Sequence, residues 1–233
     1  MYCVHRQIFG GVERTAFRRY VTHPDADGNL VCLYRDPEGA PVGYCSLQHR
    51  DLDLSGGAVR VLRGAMGFLP AFRGRTLAAS FYAPNLLRLT AGAWMKGRRP
   101  FMLSSPVSPL MYLSIARTME EFWPCPGGET PAAISHLMDE LRSIYAMGDG
   151  AVPSACPVGW VARHGAAEHA RFAESERPEI RFFLQNNPRY ADGEGLVLLA
   201  PMNLRNIVSG LRRAAMTRRR RSPSKGARHA VAS

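Results

Sequence analysis

Residues 58–78 of the chain read AVRVLRGAMGFLPAFRGRTLA, and this stretch decides the fold. Apolar and basic residues alternate at its start, so a strand is predicted from Ala58 to Leu69. Pro70 predicts the end of that strand. A helix is predicted to begin near Gly74 or Arg75, which makes the stretch a strand, a turn and the start of a helix.

The turn between this strand and this helix has the properties of an anion site. The start of a helix leaves about four main-chain N–H groups without partners, and the helix dipole adds partial positive charge there. Small residues let a ligand approach the main chain, while Arg73 and Arg75 supply charged donors. The pattern suits a pyrophosphate, although turns of this kind also occur in many proteins that bind nothing there.

The flanking sequence predicts a domain of mixed α/β build. Further strands are predicted at 30–34, 41–47, 101–103, 180–184 and 195–201, and helices over 6–20, 110–122, 131–147 and 204–216. Pro84 is predicted to kink the helix that follows the turn or to end its first segment. We expect one domain over residues 1–211.

The central segment resembles the acyl-CoA signature of the GNAT (Gcn5-related) N-acetyltransferase superfamily. The signature positions are occupied by Arg73, Thr76 and Ala78, after Pro70 and with Gly74 in the Arg-Gly pair. Thr76 stands where the family prefers glycine. The resemblance covers roughly residues 28–120 and implies a mixed, mainly antiparallel central sheet flanked by helices, with residues 123–210 shaping the acceptor pocket.

The resemblance also implies where the cofactor binds. The strand ending at Leu69 would splay from the strand at 101–103, and main-chain groups of Phe68 and Leu69 would bind the pantetheine arm of an acyl-CoA. The residues implied to contact the acyl-CoA are Phe68, Leu69, Arg73, Gly74, Arg75, Thr76, Leu77, Ala78 and Ser105. No metal is expected, because the histidines and cysteines show no spacing typical of a metal site.

A second match lies downstream, where Ser105, Ser108 and Tyr112 keep the spacing of a family helix. In the family, a tyrosine at the last of these positions protonates the departing thiolate of coenzyme A. Tyr112 is therefore the implied catalytic residue, since a tyrosine of pKa about 10 can protonate a nascent thiolate. The competing interpretation is that Tyr112 is an aromatic residue of the core.

The implied function is transfer of an acetyl or longer acyl group to the amine of a small molecule or peptide. A general base cannot be assigned: the strand at 58–69 contains no glutamate, although the family often has one there. His49, Asp51 and Asp53 are nearby in sequence, but surface positions are expected for them. The alternative function is that of a catalytically inactive binding protein.

Charge is concentrated at the C-terminus. Residues 212–233 contain eight of the basic side chains and no acidic one, in a chain of net charge +11. We expect this tail to be disordered, and the alternative function would use it to contact nucleic acid or an anionic membrane. A cytoplasmic location is expected, because no apolar run approaches the length of a membrane span and the N-terminus lacks the pattern of a secretory signal.

Overall fold

A computed structural model describes residues 1–73 and 77–221. Its helices are α1 (Tyr2–Ile8), α2 (Arg14–Val21), α3 (Leu77–Met95), α4 (Pro109–Ala116), α5 (Ala132–Ile144), α6 (Ala166–Ala173), α7 (Pro178–Asn186) and α8 (Leu204–Arg221). Its strands are β1 (Phe9–Gly10), β2 (Gly28–Arg35), β3 (Pro41–Leu54), β4 (Gly57–Phe68), β5 (Arg99–Ser104), β6 (Ala155–Pro157), β7 (Val161–Ala162), β8 (Glu194–Leu196) and β9 (Leu198–Pro201). Short 3-10 turns span Pro70–Phe72 and Tyr190–Asp192.

The central sheet has five strands in the order β2-β3-β4-β5-β9. Neighbours are antiparallel except for β4 and β5, which are parallel. Helices pack on the sheet through its buried apolar side chains. The prediction of a mixed, mainly antiparallel sheet flanked by helices is therefore confirmed.

The long hairpin of β3 and β4 is the centre of the sheet. Its register runs without a break from Gly43 opposite Phe68 to Leu54 opposite Gly57. Gly57 has φ +108°, a conformation that glycine adopts at little cost in a tight turn. The sequence predicted the first of these strands only as far as Leu47, because polar residues follow it; pairing with β4 extends the strand regardless of that composition.

Alternation along β4 sends its side chains to opposite faces of the sheet. Val59 and Val61 enter a core cluster with Leu141 of α5. Leu62 enters a different cluster with Leu89 of α3. The sheet therefore has a face toward α5, which we call the α5 face, and a face toward α3, which we call the α3 face.

The N-terminal segment differs from the prediction of one helix over residues 6–20. The chain forms α1 and α2, separated by the short strand β1, which pairs with β7. Gly11 has φ +74°, and this left-handed conformation is incompatible with a continuous right-handed helix. Two consecutive glycines were the sequence signal for the break.

Helix α3 continues through Pro84, so the prediction that this proline ends a first segment is wrong. An interior proline removes a hydrogen bond and crowds the preceding turn. Tertiary contacts hold the first turns in place: the Tyr34 hydroxyl donates to the Leu77 carbonyl at 2.7 Å, and the Tyr82 hydroxyl lies 2.9 Å from the carbonyl oxygen of Ala65.

The segment predicted as a strand at 180–184 is helical and belongs to α7. Pro178 occupies the first turn, where proline is favoured, and Ile180 and Phe183 are buried at helical spacing. The strand was predicted because the segment is rich in β-forming residues, and the helical spacing of its apolar residues was not given enough weight.

Helix α4 ends at Ala116, short of the predicted Phe122. The side chain of Asn206 accepts hydrogen bonds from the N–H groups of Glu120 and Glu121 at 2.8 and 2.9 Å, and these bonds replace helical ones. The last helix, α8, runs to Arg221 instead of Met216. Residues 212–221, which were expected to belong to a disordered tail, are part of this helix, and residues 222–233 of that tail lie outside the described part of the chain. Within the described ranges, no helix combines the length and apolar character needed to cross a membrane.

Candidate functional site

The parallel strands β4 and β5 pair over only part of their length. Their registered pairs run from Val59 opposite Arg99 to Leu62 opposite Met102. Beyond that point β4 continues to Phe68, whereas β5 ends at Ser104. A gap therefore opens between the two strands after Leu62.

Main-chain groups of β4 are directed into this gap. The Leu69 N–H donates to the Val42 carbonyl at 3.0 Å, so Leu69 faces β3. In an antiparallel ladder alternate residues face alternate sides, and Gly64, Met66 and Phe68 therefore direct their N–H and C=O groups away from β3. The Phe68 carbonyl accepts a hydrogen bond from Arg73 Nε at 3.3 Å, and the other groups have the arrangement that binds an extended ligand as an added strand.

A cleft of about 230 Å³ lies beside the gap. Arg63, the first residue of β4 after its last pair with β5, and Ser105, the first residue after β5, both line it. Its other walls come from α2, from the loop after α5 and from the segment around β6. The lining residues are Ala16, Arg19, Tyr20, His23, Arg63, Ser105, Tyr145, Ala146, Met147, Cys156, Pro157, Val158 and Trp160.

Arg63 is the buried charge of this cleft, and the exposed Arg19 is a second cation in its lining. The relative exposure of Arg63 is 9%. Its guanidinium carbon lies 5.2 Å from the centre of the Tyr20 ring and 4.7 Å from that of the Tyr145 ring, distances typical of cation–π contacts. Among the described residues, which include every Asp and Glu of the chain, no carboxylate forms an ion pair with it. A buried cation without an acidic partner is costly and uncommon.

Ser105 places a second polar group in the cleft. Its Oγ is buried and forms no hydrogen bond of regular geometry with the described residues. The Cys156 thiol is a weak partner beside it: burial raises the pKa of this thiol, and the Ser105 hydroxyl opposes that rise. A Cβ on Gly195 would lie 2.7 Å from the Ser105 carbonyl oxygen, so the absence of a side chain at Gly195 lets β8 pack against this residue.

His23 adds a neutral donor. Burial lowers its pKa, and the positive charge of Arg63 contributes in the same direction. The main-chain N–H of Asp25 donates to its Nδ1 at 3.2 Å. The neutral ring therefore carries its hydrogen on Nε2, and the cleft is lined by donors from His23 and Arg63 without any carboxylate acceptor.

The predicted phosphate turn is described only in part. Gly74, Arg75 and Thr76 lie outside the described residues. Arg73 is exposed, and its Nε donates to the Phe68 carbonyl at 3.3 Å. Leu77 and Ala78 form the first turn of α3, as expected from the helix start.

Phe68 and Leu69, the two residues implied to bind the pantetheine arm, differ in whether their main-chain groups can reach a ligand. The Leu69 N–H is already bonded within the sheet, which contradicts the expectation that this group meets a ligand. Phe68 does face the gap, and its ring covers Gly43, where an added Cβ would collide with it at 2.2 Å. The side chain of Phe68 thus covers the end of the hairpin, while its main chain faces the gap.

Tyr112 lies in the core and does not line the cleft. Its exposure is 0%, and it packs with Phe122 and Phe183. Its hydroxyl donates to the Pro124 carbonyl at 3.1 Å, and burial raises its pKa far above the ordinary value. This placement favours the competing interpretation, in which the tyrosine is a core aromatic, because the buried hydroxyl bonds to the Pro124 carbonyl and does not line the cleft.

The sequence analysis implied Ser105 as a contact of the acyl-CoA and predicted no functional role for the other residues that line this cleft. Tyr20, His23, Arg63 and Tyr145 come from three separate segments, namely the end of α2, the strand β4 and the loop after α5, and none of them belongs to a motif. Arg63 is one of many arginines in the chain, and no local pattern distinguishes it. Arg63 differs from the other buried arginine, Arg60, because no acidic side chain among the described residues lies beside it in the folded protein. A sequence does not show this.

Comparisons with known proteins give little further guidance. No protein-family model and no curated protein matches the chain. Two solved structures are similar over part of it: a tetramutant of the BH1408 protein from Bacillus halodurans, at 9% identity over 52% of this chain and 73% of that chain with a TM-score of 0.32, and a bacterial toxin, at 15% identity over 55% and 79% with a TM-score of 0.31. Similarity at this level carries no argument about the function of this chain.

Proposed function

We propose that this protein is an acyl-CoA-dependent N-acyltransferase of the GNAT type. The thioester would lie in the gap between β4 and β5, and its diphosphate would lie at the start of α3. The acceptor amine would enter from the cleft that Arg63 and Ser105 line.

The observation that carries this proposal is the parting of two parallel strands after Leu62 and Met102. Parallel neighbours normally remain bonded along their shared length, and a gap leaves strand groups without partners inside a sheet. The amide groups of a pantetheine arm have the donors and acceptors to fill such a gap as an added strand. The resemblance of residues 67–79 to the acyl-CoA signature supports the same ligand.

The chemistry requires little from the side chains. The amine nitrogen forms a bond to the thioester carbonyl carbon, the C–S bond breaks, and coenzyme A departs as the thiolate. The amine releases one proton to solvent and the thiolate takes one up. Main-chain N–H groups of β4 that face the gap, such as that of Phe68, would stabilise the negative charge on the carbonyl oxygen.

Binding of the coenzyme tests the proposal directly. Acetyl-CoA is expected to bind at micromolar affinity in calorimetry, and free coenzyme A is expected to compete with it. Pantetheine, which lacks the diphosphate, should bind more weakly because the charge at the start of α3 then has no counterpart. A titration without heat, together with no competition by coenzyme A, would reject the proposal.

A matched pair of variants locates the diphosphate. Arg73→Ala removes a cation at the turn before α3, and Arg88→Ala removes an exposed cation further along the same helix. Coenzyme A should bind the Arg73 variant roughly tenfold more weakly, as expected for loss of one charge-assisted contact. It should bind the Arg88 variant as it binds the parent, and equal losses would place the coenzyme elsewhere.

A second candidate function is that of a catalytically inactive protein of this type that binds through its C-terminus to nucleic acid or an anionic membrane. The favouring observation is that α8 exposes Leu204, Val208 and Leu211 at helical spacing in a strongly basic segment. Deletion of residues 212–233 discriminates the two functions. This candidate requires that the deletion abolish binding to DNA or to vesicles containing phosphatidylserine, in a protein that binds no coenzyme A.

A further inference from the structure

The part of the cleft around Arg63 has no role yet in binding the coenzyme. Three features are present together there: a buried guanidinium, a buried hydroxyl without a regular partner and a lining that contains no acidic residue. Structural arginines in protein interiors normally have a carboxylate partner. An interior cation that lacks one is explained if a ligand supplies the negative charge.

We infer that this cleft binds the carboxylate group of a small amino acid, with Arg63 as the residue that determines specificity. The identity of the ligand as an amine rests on the proposed function, whereas binding of its carboxylate rests on the cleft alone. The amine of the same molecule would then be the group that attacks the thioester at the gap beside Arg63.

The guanidinium of Arg63 has donors that suit a carboxylate. The rings of Tyr20 and Tyr145 lie beside it at 5.2 and 4.7 Å, and the Tyr20 hydroxyl bonds to it, so its remaining N–H groups are the part that can meet a ligand. A flat carboxylate forms two parallel hydrogen bonds with a guanidinium. A phosphate can form the same pair of bonds, and inorganic phosphate is therefore a competing anion in the test of this site.

The size and walls of the cleft narrow the choice of amino acid. Its volume of about 230 Å³ is below the roughly 300–1,000 Å³ of sites for drug-sized ligands, which favours a single amino acid. The walls include the apolar side chains of Met147, Val158 and Trp160. Amino acids with apolar side chains are therefore expected to bind most tightly.

Binding is tested with the full-length protein in the absence of any coenzyme. The probes are the twenty proteinogenic L-amino acids, the carboxamide of each one that binds, and inorganic phosphate. Saturation-transfer NMR identifies the binders, and titration gives their dissociation constants. At least one apolar amino acid is expected to bind, and its carboxamide, which keeps the amine but lacks the anion, should bind at least about tenfold more weakly.

Variants assign the effect to Arg63. Arg63→Met should weaken binding of the amino acid by at least about tenfold. Arg63→Lys keeps the charge but loses the planar pair of donors, so an intermediate loss is expected. Arg88→Met, an exposed arginine remote in sequence, is the matched control and should bind as the parent does. The comparison of acid with carboxamide uses only the parent protein and stands even where a variant does not fold.

Several outcomes would overturn the inference: no amino acid binds, acid and carboxamide bind equally, Arg63→Met binds as the parent does, or phosphate binds more tightly than every amino acid. The coenzyme titration is separate from this experiment. An amino acid that binds to a protein without affinity for coenzyme A would reject the acyltransferase function and leave the carboxylate site standing. A protein that binds coenzyme A but no amino acid would reject the carboxylate site and leave the acyltransferase function standing.

Discussion

Arg60 and Arg63 lie three residues apart on β4, are both buried, and have opposite surroundings. Arg60, on the α3 face, donates to both carboxylate oxygens of Asp51 at 2.6 and 2.7 Å and to the Leu89 carbonyl at 3.0 Å. Arg63, on the α5 face, has aromatic rings beside it and no carboxylate. The same residue type therefore completes a network on one face of the strand and leaves an unneutralised charge on the other.

The difference separates a structural charge from a charge available to a ligand. Asp51 is 15% exposed, and its pKa is lowered chiefly by the hydrogen bonds from Arg60. Each partner there satisfies the other, so no ligand is needed. Near Arg63, two ring contacts and a hydrogen bond with the Tyr20 hydroxyl offset part of the cost of burial, but no opposite charge does, and buried charges of this kind are found at functional sites.

The largest expected effect comes from removing the paired arginine. Arg60→Met leaves the Asp51 carboxylate without its bidentate partner and should lower the free energy of unfolding by about 3–5 kcal/mol, toward the lower value because Arg98 and Lys96 remain 3.6 and 3.7 Å from Asp51. Arg63→Met is the matched comparison and should change it by less than about 1 kcal/mol, mainly through lost cation–π contacts. Urea unfolding of both variants measures the contrast, and similar losses would show that Arg63 has a structural partner after all.

The second prediction separates the two faces by pH. His5, which is 1% exposed and packs beside Tyr44 on the α5 face, has its pKa lowered by burial from 6.5 to about 4. Between these values the unfolded chain binds a proton that the folded protein does not, so stability falls as pH falls from 6.5 to 4, by about 3 kcal/mol in total. On the other face, the pKa of Asp51 is lowered, so the stability that its ionised carboxylate contributes is lost only below the ordinary pKa of 3.8.

Urea unfolding at a series of pH values tests this separation. His5→Gln should lose the part of the decline between pH 6.5 and 4 that His5 causes, and should keep the decline below pH 3.8. Other histidines with pKa values lowered by burial, namely the buried His23 and the half-buried His49 and His164, contribute to the same upper window in both proteins. An unchanged pH profile would mean that His5 is accessible to protons in the folded state.

The same contrast shows how far the sequence could predict this molecule. Residue alternation and turn residues predicted strands at the positions of β2, β3, β4 and β5, because local pattern determines strands. The mixed, mainly antiparallel arrangement of the sheet was implied by the family resemblance. Ile180–Leu184 was assigned wrongly because β-forming residues outweighed a helical period that begins at Pro178. Arg60 and Arg63 have the same local signature in sequence. What distinguishes them is whether a carboxylate from another part of the chain reaches them, and this is a property of the folded chain alone.

The third prediction concerns a hydroxyl that has a partner. Tyr112→Phe removes the hydrogen bond to the Pro124 carbonyl and should lower the free energy of unfolding by about 1 kcal/mol. If Tyr112 were instead the proton donor to the thiolate, the variant would retain stability and lose acyl transfer. Unfolding in urea and turnover of acetyl-CoA, measured on the same preparation, distinguish a core residue from a catalytic one; the core role is the expected result.

The smallest effect is expected for the hydroxyl that has no regular partner. Ser105→Ala removes a buried Oγ that forms no regular hydrogen bond with the described residues, so the free energy of unfolding should stay within about 0.5 kcal/mol of the parent or rise slightly. The same variant should bind the amino acid more weakly, because Ser105 and Arg63 line the same cleft, although its stability is not lowered. A stability loss as large as that of Tyr112→Phe would mean that the Ser105 hydroxyl is bonded within the protein. Arg63 would then be the one cleft residue that supports the contrast with the fully paired Arg60.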